Sequence, residues 1–256
     1  MVLKVNSLRI KLTISKILVI MMVLYAYVVP LFSPYENPMR WNLVPRDVPP
    51  SFLYVFGTTS LGQDIFWLLT WSIKNSLILG AIASAVGLAI GATLGLIAGY
   101  KGGLLEKIIL FFSDTLIVLP SFPILVLISS LIREQLNMVS LGAIIALLTW
   151  GMPVRNVRSM VLSLREMEFT QTAIFSGYGT FKVILSEYLP HVLPWIIASF
   201  MSRINMAIGM EVTLAVFGLF SADEATLGTM LEWAMEYQLS LIHISEPTRP
   251  LYISYA

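Results

Sequence analysis

Three charged residues lie inside long apolar stretches of this sequence, at Asp114, Arg203 and Glu211. A charge at the centre of a membrane-spanning helix costs about 2.5–3.5 kcal/mol on insertion scales, so each of them needs a protein partner or water. Arg203 and Glu211 are eight residues apart, which is about 12 Å along a helix axis and places them on a similar side. We expect these residues either to line a polar path or to pair between helices, and both interpretations stay open.

Residues for catalysis are missing from the sequence. It contains no Gly-x-x-x-x-Gly-Lys-Ser/Thr loop that would bind phosphates, and it contains no cysteine. Of its histidines, His191 follows Pro190 in a pattern typical of an interfacial residue, and His243 is remote from it in the chain. We therefore predict no catalytic residue, no metal site and no cofactor, and the chain is not expected to be an enzyme.

Composition identifies the environment in which these charges lie. Hydrophobic residues make up 57% of the 256-residue chain and charged residues 12%, with a mean hydropathy of +0.82. This is too little polar surface for a soluble globule, so the chain is predicted to be an integral membrane protein in contact with lipid. Its net charge of +1 gives no reason to expect a nucleic acid partner.

Five apolar segments approach the length of about 20 residues that a spanning helix needs. The first has no small-residue cleavage site after it, so we interpret it as an uncleaved span and not as a signal peptide. The predicted class is an all-α, polytopic helical bundle in the membrane. The predicted spans are 17–32, 76–99, 108–132, 139–153 and 192–220.

Lysine and arginine are divided unevenly between the two sides of these spans. With the amino terminus in the cytoplasm, ten of them fall inside and four fall outside. The bias predicts a cytoplasmic amino terminus. The inside residues are Lys4, Arg9, Lys11, Lys16, Lys101, Lys107, Arg155, Arg158, Arg165 and Lys182, and the outside residues are Arg40, Arg46, Lys74 and Arg133.

The second predicted span contains a regular stripe of glycines. Gly87, Gly91, Gly95 and Gly99 recur at every fourth position, so they form one smooth face that lets another helix approach closely in lipid. We interpret the stripe as a packing seam. Whether it faces helices of this chain or a partner subunit is open at the level of sequence.

Residues 165–190 form a polar interruption between two apolar segments. Phe181, Ile184, Leu185 and Tyr188 are spaced as one apolar face of a short helix. Gly177 and Gly179 permit a sharp reversal before it. The pattern predicts a helix, a turn and a second helix on the cytoplasmic surface that ends at Pro190; an ordinary interfacial helix pair is the alternative.

The segment 165–190 resembles the EAA loop of ABC importer permeases, whose short helix docks into an ATPase subunit, and we call it the coupling loop. Gln171, Thr172 and Ala173 stand in place of Glu-Ala-Ala, followed by Gly177 and by a Leu-Pro pair at 189–190. Gln171 and Thr172 depart from the motif but keep its spacing. By this resemblance, the ATPase-coupling residues are Gln171, Thr172, Ala173, Gly177, Leu189 and Pro190.

Three further segments are similar to permeases of the dipeptide, oligopeptide and nickel class. They are "FGTTSLGQDIFWLLTWSIKNSL" at 56–77, "AGYKGGLLEKIILFFSDTLIVLPSFP" at 98–123 and "GMEVTLAVFGL" at 209–219. Asp114 and Glu211 fall at matching positions, whereas Arg203 has no counterpart in that pattern. The resemblance runs from about residue 10 to 238 in a consistent order.

The resemblance implies a permease subunit of a prokaryotic cell membrane importer, for peptides or nickel. It implies two ATPase subunits, a second permease and an extracytoplasmic substrate-binding protein as partners. The alternatives are a secondary transporter driven by an ion gradient, for which no internal inverted repeat is evident, and a membrane scaffold without transport activity.

The last residues do not fit this pattern. Leu239–Arg249 resembles the conceptual translation of a transposase-type sequencing adapter, so we interpret 239–256 as a scar and expect a sixth span to be missing after Gln238. The predicted organisation is a cytoplasmic amino terminus at 1–16, a first span at 17–32, an external segment at 33–75, a permease core at 76–238 with the coupling loop at 165–190, and the scar at 239–256.

Overall fold

The computed structural model describes residues 17, 20–21, 23–220 and 224–244, with the backbone alone at 134 and 237–244. Its described part is helical and has no β-strand, as a membrane bundle requires, so the predicted all-α class is confirmed. The helices are α1 (Val23–Phe32), α2 (Ile65–Lys101), α3 (Gly103–Val118), α4 (Ser121–Leu131), α5 (Met138–Thr149), α6 (Gly151–Arg165), α7 (Glu168–Phe175), α8 (Thr180–Val216) and α9 (Leu227–Ile244).

The described residues contain fewer uninterrupted spans than the five that the sequence predicts. Among the described residues, α2 and α8 are each long and apolar enough to cross a membrane. The count rises to four if α3 with α4 and α5 with α6 each form one bent span. The first predicted span, 17–32, is described as the shorter apolar helix α1 together with residues 17, 20 and 21, and its remaining residues lie outside the described part.

The predicted third span, 108–132, is not one continuous helix. A bend of 80° separates α3 from α4, and Leu119 between them has an extended backbone with φ −67° and ψ 132°. Pro120 follows, and a proline both lacks a backbone N–H and disfavours the α conformation in the residue before it. The expectation of an unbroken helix was wrong because this proline ends α3.

The predicted fourth span, 139–153, is longer than expected and is also bent. A bend of 49° separates α5 from α6, which continues to Arg165. Pro153 lies in the first turn of α6. In a continuous α-helix, the N–H of residue 153 would donate to the carbonyl of Thr149, four residues earlier. Proline has no backbone N–H, so this hydrogen bond cannot form.

The predicted end of the second loop helix at Pro190 was wrong, because α8 runs on through this residue. Residues Val183–Tyr188 form a π-helical turn inside α8, in which the N–H of Leu189 donates to the carbonyl of Ile184, five residues back. The wider turn accommodates Pro190 directly after it. The coupling loop is therefore continuous with the spanning part of α8.

The described residues form two compact units, one from those up to 74 together with 224–244 and one from 75–220. In the first unit, the segment before α2 folds back on itself through Gly57 and Gly62, which have φ of +79° and +75°. The buried amide of Gln63 donates to the carbonyl of Met39 at 2.7 Å. A small core holds this unit together and consists of Met39, Leu68, Trp71, Ala225, Met230 and Trp233.

Residues 227–238, directly before the predicted scar, lie in α9. This helix begins at Leu227 and includes residues 239–244 of the predicted scar, while 245–256 lie outside the described residues. The adapter interpretation of 239–256 stays a prediction.

The second unit contains the coupling loop and the charged residues of the spans. One part of its core joins α2, α4, α5 and α8 around Leu79, Leu125, Leu141 and Leu214. Another part joins α2, α6, α7 and the start of α8, and it consists of Ala92, Leu96, Val157, Val161, Ala173, Val183, Ile184, Tyr188 and Val192.

Candidate functional site

The coupling loop reverses direction at Gly177. The helix α7 ends with the N–H of Gly177 bonded to the carbonyl of Ile174 and the N–H of Tyr178 bonded to the carbonyl of Ala173, both at 3.0 Å. This is a Schellman motif, which requires a left-handed residue at the position of Gly177. Gly177 has φ +79°, whereas Gly179 has φ −70°, so only the first of the two glycines needs its conformational freedom.

The residues of the EAA-like motif have different surroundings. Ala173 is buried against the core of the second unit, while Gln171 and Thr172 are exposed. The hydroxyl of Thr172 donates within α7 to the carbonyl of Glu168 at 3.0 Å. Of the final pair, Leu189 packs against the core and Pro190 is exposed.

The predicted apolar face of the second loop helix is divided between the core and the surface. Ile184 and Tyr188 are buried in the core of this chain. Phe181 and Leu185 line an apolar groove along α2 and are 75% and 45% exposed. The helix is the beginning of α8 and packs as part of it, and docking of its exposed residues to an ATPase stays a prediction.

Further exposed apolar surface on the loop lies on α7. Phe175 is 88% exposed and Ile174 is 49% exposed, and both immediately precede the turn at Gly177. Sequence reasoning did not single out Phe175, because it chose functional residues in this segment by their match to the EAA motif and not by their expected exposure. A signal was present, since a phenylalanine beside a glycine reversal on a polar surface loop has little of its own chain to pack against.

Several contacts fix the coupling loop to the membrane helices. The hydroxyl of Thr170 donates to the carbonyl of Leu164 at 2.7 Å. The ring of Phe169 stacks on His191, with centroids 5.2 Å apart. These contacts join α7 to α6 and to α8.

The side chain of Arg165 ties the end of α6 to the end of α2. Its Nη1 donates to the carbonyl of Gly99 at 3.1 Å. A cation near the carboxyl end of a helix is favourable because the last carbonyls lack helical partners. Lys101, Arg165 and the coupling loop consequently lie at the same end of this unit.

Two charged residues of the predicted spans have partners on other helices. Asp114 on α3 forms an ion pair with Arg155 on α6, with Oδ1 2.7 Å from Nε. Glu211 on α8 is 0% exposed, and its Oε2 accepts a hydrogen bond from the hydroxyl of Ser76 on α2 at 3.3 Å. A second interhelical ion pair, between Glu106 and Arg158, joins α3 to α6 nearer the loop.

Arg203 has a neutral partner at the bend between α5 and α6. Its Nη2 donates to the carbonyl of Thr149 at 3.0 Å and to the hydroxyl of the same residue at 2.8 Å. The carbonyl is available because Pro153 has no N–H for it. The guanidinium therefore takes the place of a backbone donor that the sequence removes.

The glycine stripe of α2 faces helices of this chain. A Cβ at Gly91 would lie 2.5 Å from Cβ of Pro153, and a Cβ at Gly95 would lie 2.8 Å from the carbonyl oxygen of Val154. Gly99 lies equally close to Val161. The structure thus places these glycines against α6, at distances that side chains would not permit.

A cavity of about 360 Å³ lies among α3, α4, α8 and the bend between α5 and α6. It is lined mainly by apolar side chains, with Arg203 and a few hydroxyl and amide groups among them. No group of three or more histidine or acidic side chains that could hold a metal occurs among the described residues. The cavity is suited to a solute that combines apolar and polar parts.

Comparison with known proteins identifies related sequences over the same helices. The family described as "Binding-protein-dependent transport system inner membrane component" matches residues 91–245. The oligopeptide transport system permease protein OppC of Mycobacterium tuberculosis (strain ATCC 25618 / H37Rv) is 27% identical over 208 residues, which cover 80% of this chain and 71% of that protein. The dipeptide transport system permease protein DppC of Bacillus subtilis (strain 168) is 30% identical over 214 residues, covering 81% and 65%. OppC of Bacillus subtilis (strain 168) is 30% identical over 219 residues, covering 85% and 70%.

Proposed function

This chain belongs to the family of binding-protein-dependent transport system inner membrane components and is a multi-pass permease subunit of an ABC importer, and we propose that the solute it admits is a peptide. The relatives named above are permeases of oligopeptide and dipeptide transport systems. Their names favour peptides over nickel, the other solute that the sequence suggests. The mixed lining of the central cavity supports this choice, because a peptide carries both apolar side chains and polar backbone groups.

We propose further that ATP hydrolysis occurs in two separate ATPase subunits that bind the coupling loop. The observation that supports this most directly is the exposed pair Ile174 and Phe175 beside the fixed turn at Gly177. An exposed aromatic side chain on a rigid turn is typical of an anchor that fills a pocket in a partner. Closure of the ATPases would then move α7, and the contacts of Thr170 and Phe169 would pass this movement to α6 and α8.

The proposed complex includes a second permease and an extracytoplasmic substrate-binding protein. With the amino terminus in the cytoplasm, the coupling loop lies on the cytoplasmic side together with Lys101 and Arg165. Their proximity supports this orientation, since positive residues favour the cytoplasmic face. The segment 33–64 would then face the binding protein.

The test is reconstitution of the whole importer in proteoliposomes. Phe175→Glu should lower recovery of the ATPase subunits in a pull-down by about tenfold or more, because a buried aromatic anchor is worth about 2 kcal/mol. Peptide-stimulated ATP hydrolysis should fall with it. The matched control for the pull-down is Phe52→Glu, which places the same change at a fully exposed phenylalanine of the external segment. The control does not extend to peptide-stimulated hydrolysis, because that segment is proposed to face the binding protein.

Wild-type recovery with Phe175→Glu would refute docking at this turn. ATP-dependent uptake of radiolabelled di- or tripeptides by the wild-type importer tests the solute. Uptake of none of these peptides, in vesicles whose ATPase subunits are bound, would refute the peptide assignment and leave the docking result intact.

A further inference from the structure

The central cavity of the second unit is built where two helices are broken. Ser121, the first residue of α4, and Gly151, the first residue of α6, both line it. Non-helical backbone at membrane depth is tolerated where it lines a cavity or is buried in protein. The polar lining side chains are Ser121, Thr149, Asn156, Ser199, Ser202 and Arg203.

The guanidinium of Arg203 lies near the middle of the membrane-spanning part of α8. Arg203 comes 14 residues after Leu189 and 13 residues before Val216, the bounds of the regular α-helical part. On α2, the residue that faces this guanidinium is Gly87. It is equally central, because it lies halfway along the predicted span 76–99. A cation at this depth is costly and marks a functional site when no acid neutralises it.

The surroundings of Arg203 leave part of its hydrogen-bonding capacity unused. Only Nη2 donates to Thr149, and the buried Nε has no hydrogen-bond partner. Within the described part of the chain, no carboxylate lies at ion-pair distance from this guanidinium, as the three ion pairs involve other residues. Because a guanidinium has five N–H donors in a planar fork, it remains able to bind a carboxylate.

The neutral partners of Arg203 position it without satisfying its charge. Gly87 leaves space for the guanidinium, since a Cβ there would be 2.8 Å from Nη2. Thr149 supplies an orphan carbonyl and a hydroxyl, which are weaker acceptors than a carboxylate. The charged group is thus fixed in direction at a cavity wall and keeps its attraction for an anion.

We propose that this cavity is a carboxylate subsite of the translocation path, in which Arg203 binds a carboxylate of the peptide as it passes. The proposal rests on the proposed function, because it names the part of the peptide that one residue recognises. The carboxylate comes from the peptide's carboxyl terminus or from an acidic side chain, and both present the same planar anion. A volume of about 360 Å³ holds the end of a peptide and not a large folded ligand.

The experiment compares peptides in proteoliposomes that contain the complete importer. The probes are Ala-Ala-Ala with a free carboxyl terminus, the same tripeptide as its amide, and the amide of Ala-Glu-Ala. Uptake is measured for the wild type and for Arg203→Met with one preparation of the binding protein. Any preference of that binding protein for the acid or the amide is then the same for both permeases. It cancels when the acid-to-amide uptake ratio of Arg203→Met is divided by that of the wild type.

We expect Arg203→Met to lower the acid-to-amide ratio of uptake by about tenfold, the factor that one charge-assisted hydrogen bond supplies. Arg203→Lys should show a higher acid-to-amide ratio than Arg203→Met, because lysine keeps the positive charge but lacks the planar pair of N–H donors of a guanidinium. If the amide of Ala-Glu-Ala depends on Arg203 as the free acid does, the acidic side chain is a source of the carboxylate. If it does not, the carboxyl terminus is the source.

Gly87→Ala is a second variant, which keeps Arg203 but displaces its side chain. If Arg203→Met does not assemble into the importer, the acid-to-amide ratio of Gly87→Ala is measured in its place. Its added methyl group would meet only the movable end of Arg203 within 3 Å. Gly209→Ala is the matched control, because no atom lies within 4 Å of the added carbon. An acid-to-amide ratio that neither Arg203→Met nor Gly87→Ala changes would overturn the subsite, even if total uptake falls. No uptake of any peptide by the wild type would instead overturn the proposed function itself.

Discussion

The guanidinium of Arg203 occupies the space that a side chain on Gly87 would need, with Nη2 only 2.8 Å from the position of a Cβ. This relationship distinguishes Gly87 from the rest of its stripe. Gly91, Gly95 and Gly99 approach the backbone and the branched or cyclic side chains of α6. The stripe therefore combines one site for a cation with three sites for close helix packing.

Gly91→Ala is expected to destabilise the permease more than Gly87→Ala does. The added methyl group would lie 2.5 Å from Cβ of Pro153 and 2.8 Å from the carbonyl oxygen of Trp150, and neither can move without the helix. Overpacking of this kind costs about 1–3 kcal/mol. Thermal unfolding in detergent would measure the difference, with Gly209→Ala as the control, and an equal melting temperature for Gly91→Ala and the control would contradict it.

Gly177→Val is expected to weaken the binding of the ATPase subunits, whereas Gly179→Val is not. A β-branched residue with φ +79° costs about 1–2 kcal/mol or more in backbone strain, so the turn after α7 would open. Gly179 has φ −70° and open space around it, so valine is accepted there. The measurements are subunit pull-down and peptide-stimulated ATP hydrolysis.

Both glycine variants should insert normally, because the turn belongs to the coupling loop and not to the apolar stretch of any predicted span. Equal losses with both valine variants would show that bulk on the loop surface matters and that the left-handed backbone does not.

The ion pair between Glu106 and Arg158 should contribute more to stability than the pair between Asp114 and Arg155. The side chains of Glu106 and Arg158 are 17% and 29% exposed, against 42% for Asp114 and 54% for Arg155. Because exposed pairs are weakened by solvent, a double-mutant cycle with Glu106→Gln and Arg158→Gln should give the larger coupling energy. A larger value for Asp114→Asn with Arg155→Gln would show that its surroundings in the assembled importer are drier than in the single chain.

Asp64 should make stability depend on pH at the start of α2. Its Oδ1 accepts a hydrogen bond from the N–H of Phe66 at 2.9 Å. Burial raises the pKa of Asp64, and this outweighs the backbone hydrogen bonds from Phe66 and Trp67 that lower it. The folded state therefore binds this proton more tightly than the unfolded state, so the contribution to stability is largest at low pH and is lost as the pH rises through the raised pKa.

Asp64→Asn keeps an acceptor for the helix terminus and removes the charge. We expect its melting temperature to exceed that of the wild type near pH 7 and to converge with it below about pH 3, where the wild-type carboxyl is neutral in both states. A difference that does not vary with pH would show that the carboxyl does not titrate differently on unfolding.

Much of the fold could be predicted because its signals are local. The apolar stretches around Gly87 and Met206 are long enough to identify α2 and α8 from composition. The reversal at Gly177 could be placed because a left-handed position favours glycine. The breaks at Leu119 and Trp150 were not predicted, since a proline in an apolar run is compatible with both a kink and an end of the helix.

The partners of the charged residues could not be predicted for a different reason. Asp114 is 41 positions from Arg155, and Arg203 is 54 positions from Thr149. Such pairs depend on how helices are arranged, and apolar periodicity specifies which face is buried but not what lies opposite. The role of Pro153 in freeing the carbonyl of Thr149 is visible only in the structure, where Arg203 of α8 donates to that carbonyl.

The π-helical turn at Val183–Tyr188 makes α8 respond differently to changes of length at different positions. A π turn holds one residue more than an α turn closed by the i→i−4 bond. Deleting a single codon between 183 and 188 would let an α turn close there instead, so the helix on either side would keep nearly the same rotation. The same deletion in the regular part of α8 after Pro190 would rotate the coupling loop by about 100° around the helix axis and draw it about 1.5 Å nearer to the spans. Every side chain of the loop would survive that second deletion, and yet Phe175 would face a different direction. In-frame changes of length after Pro190 are therefore a separate class of mutation, one that alters the angle between the loop and the spanning helix without removing a loop residue.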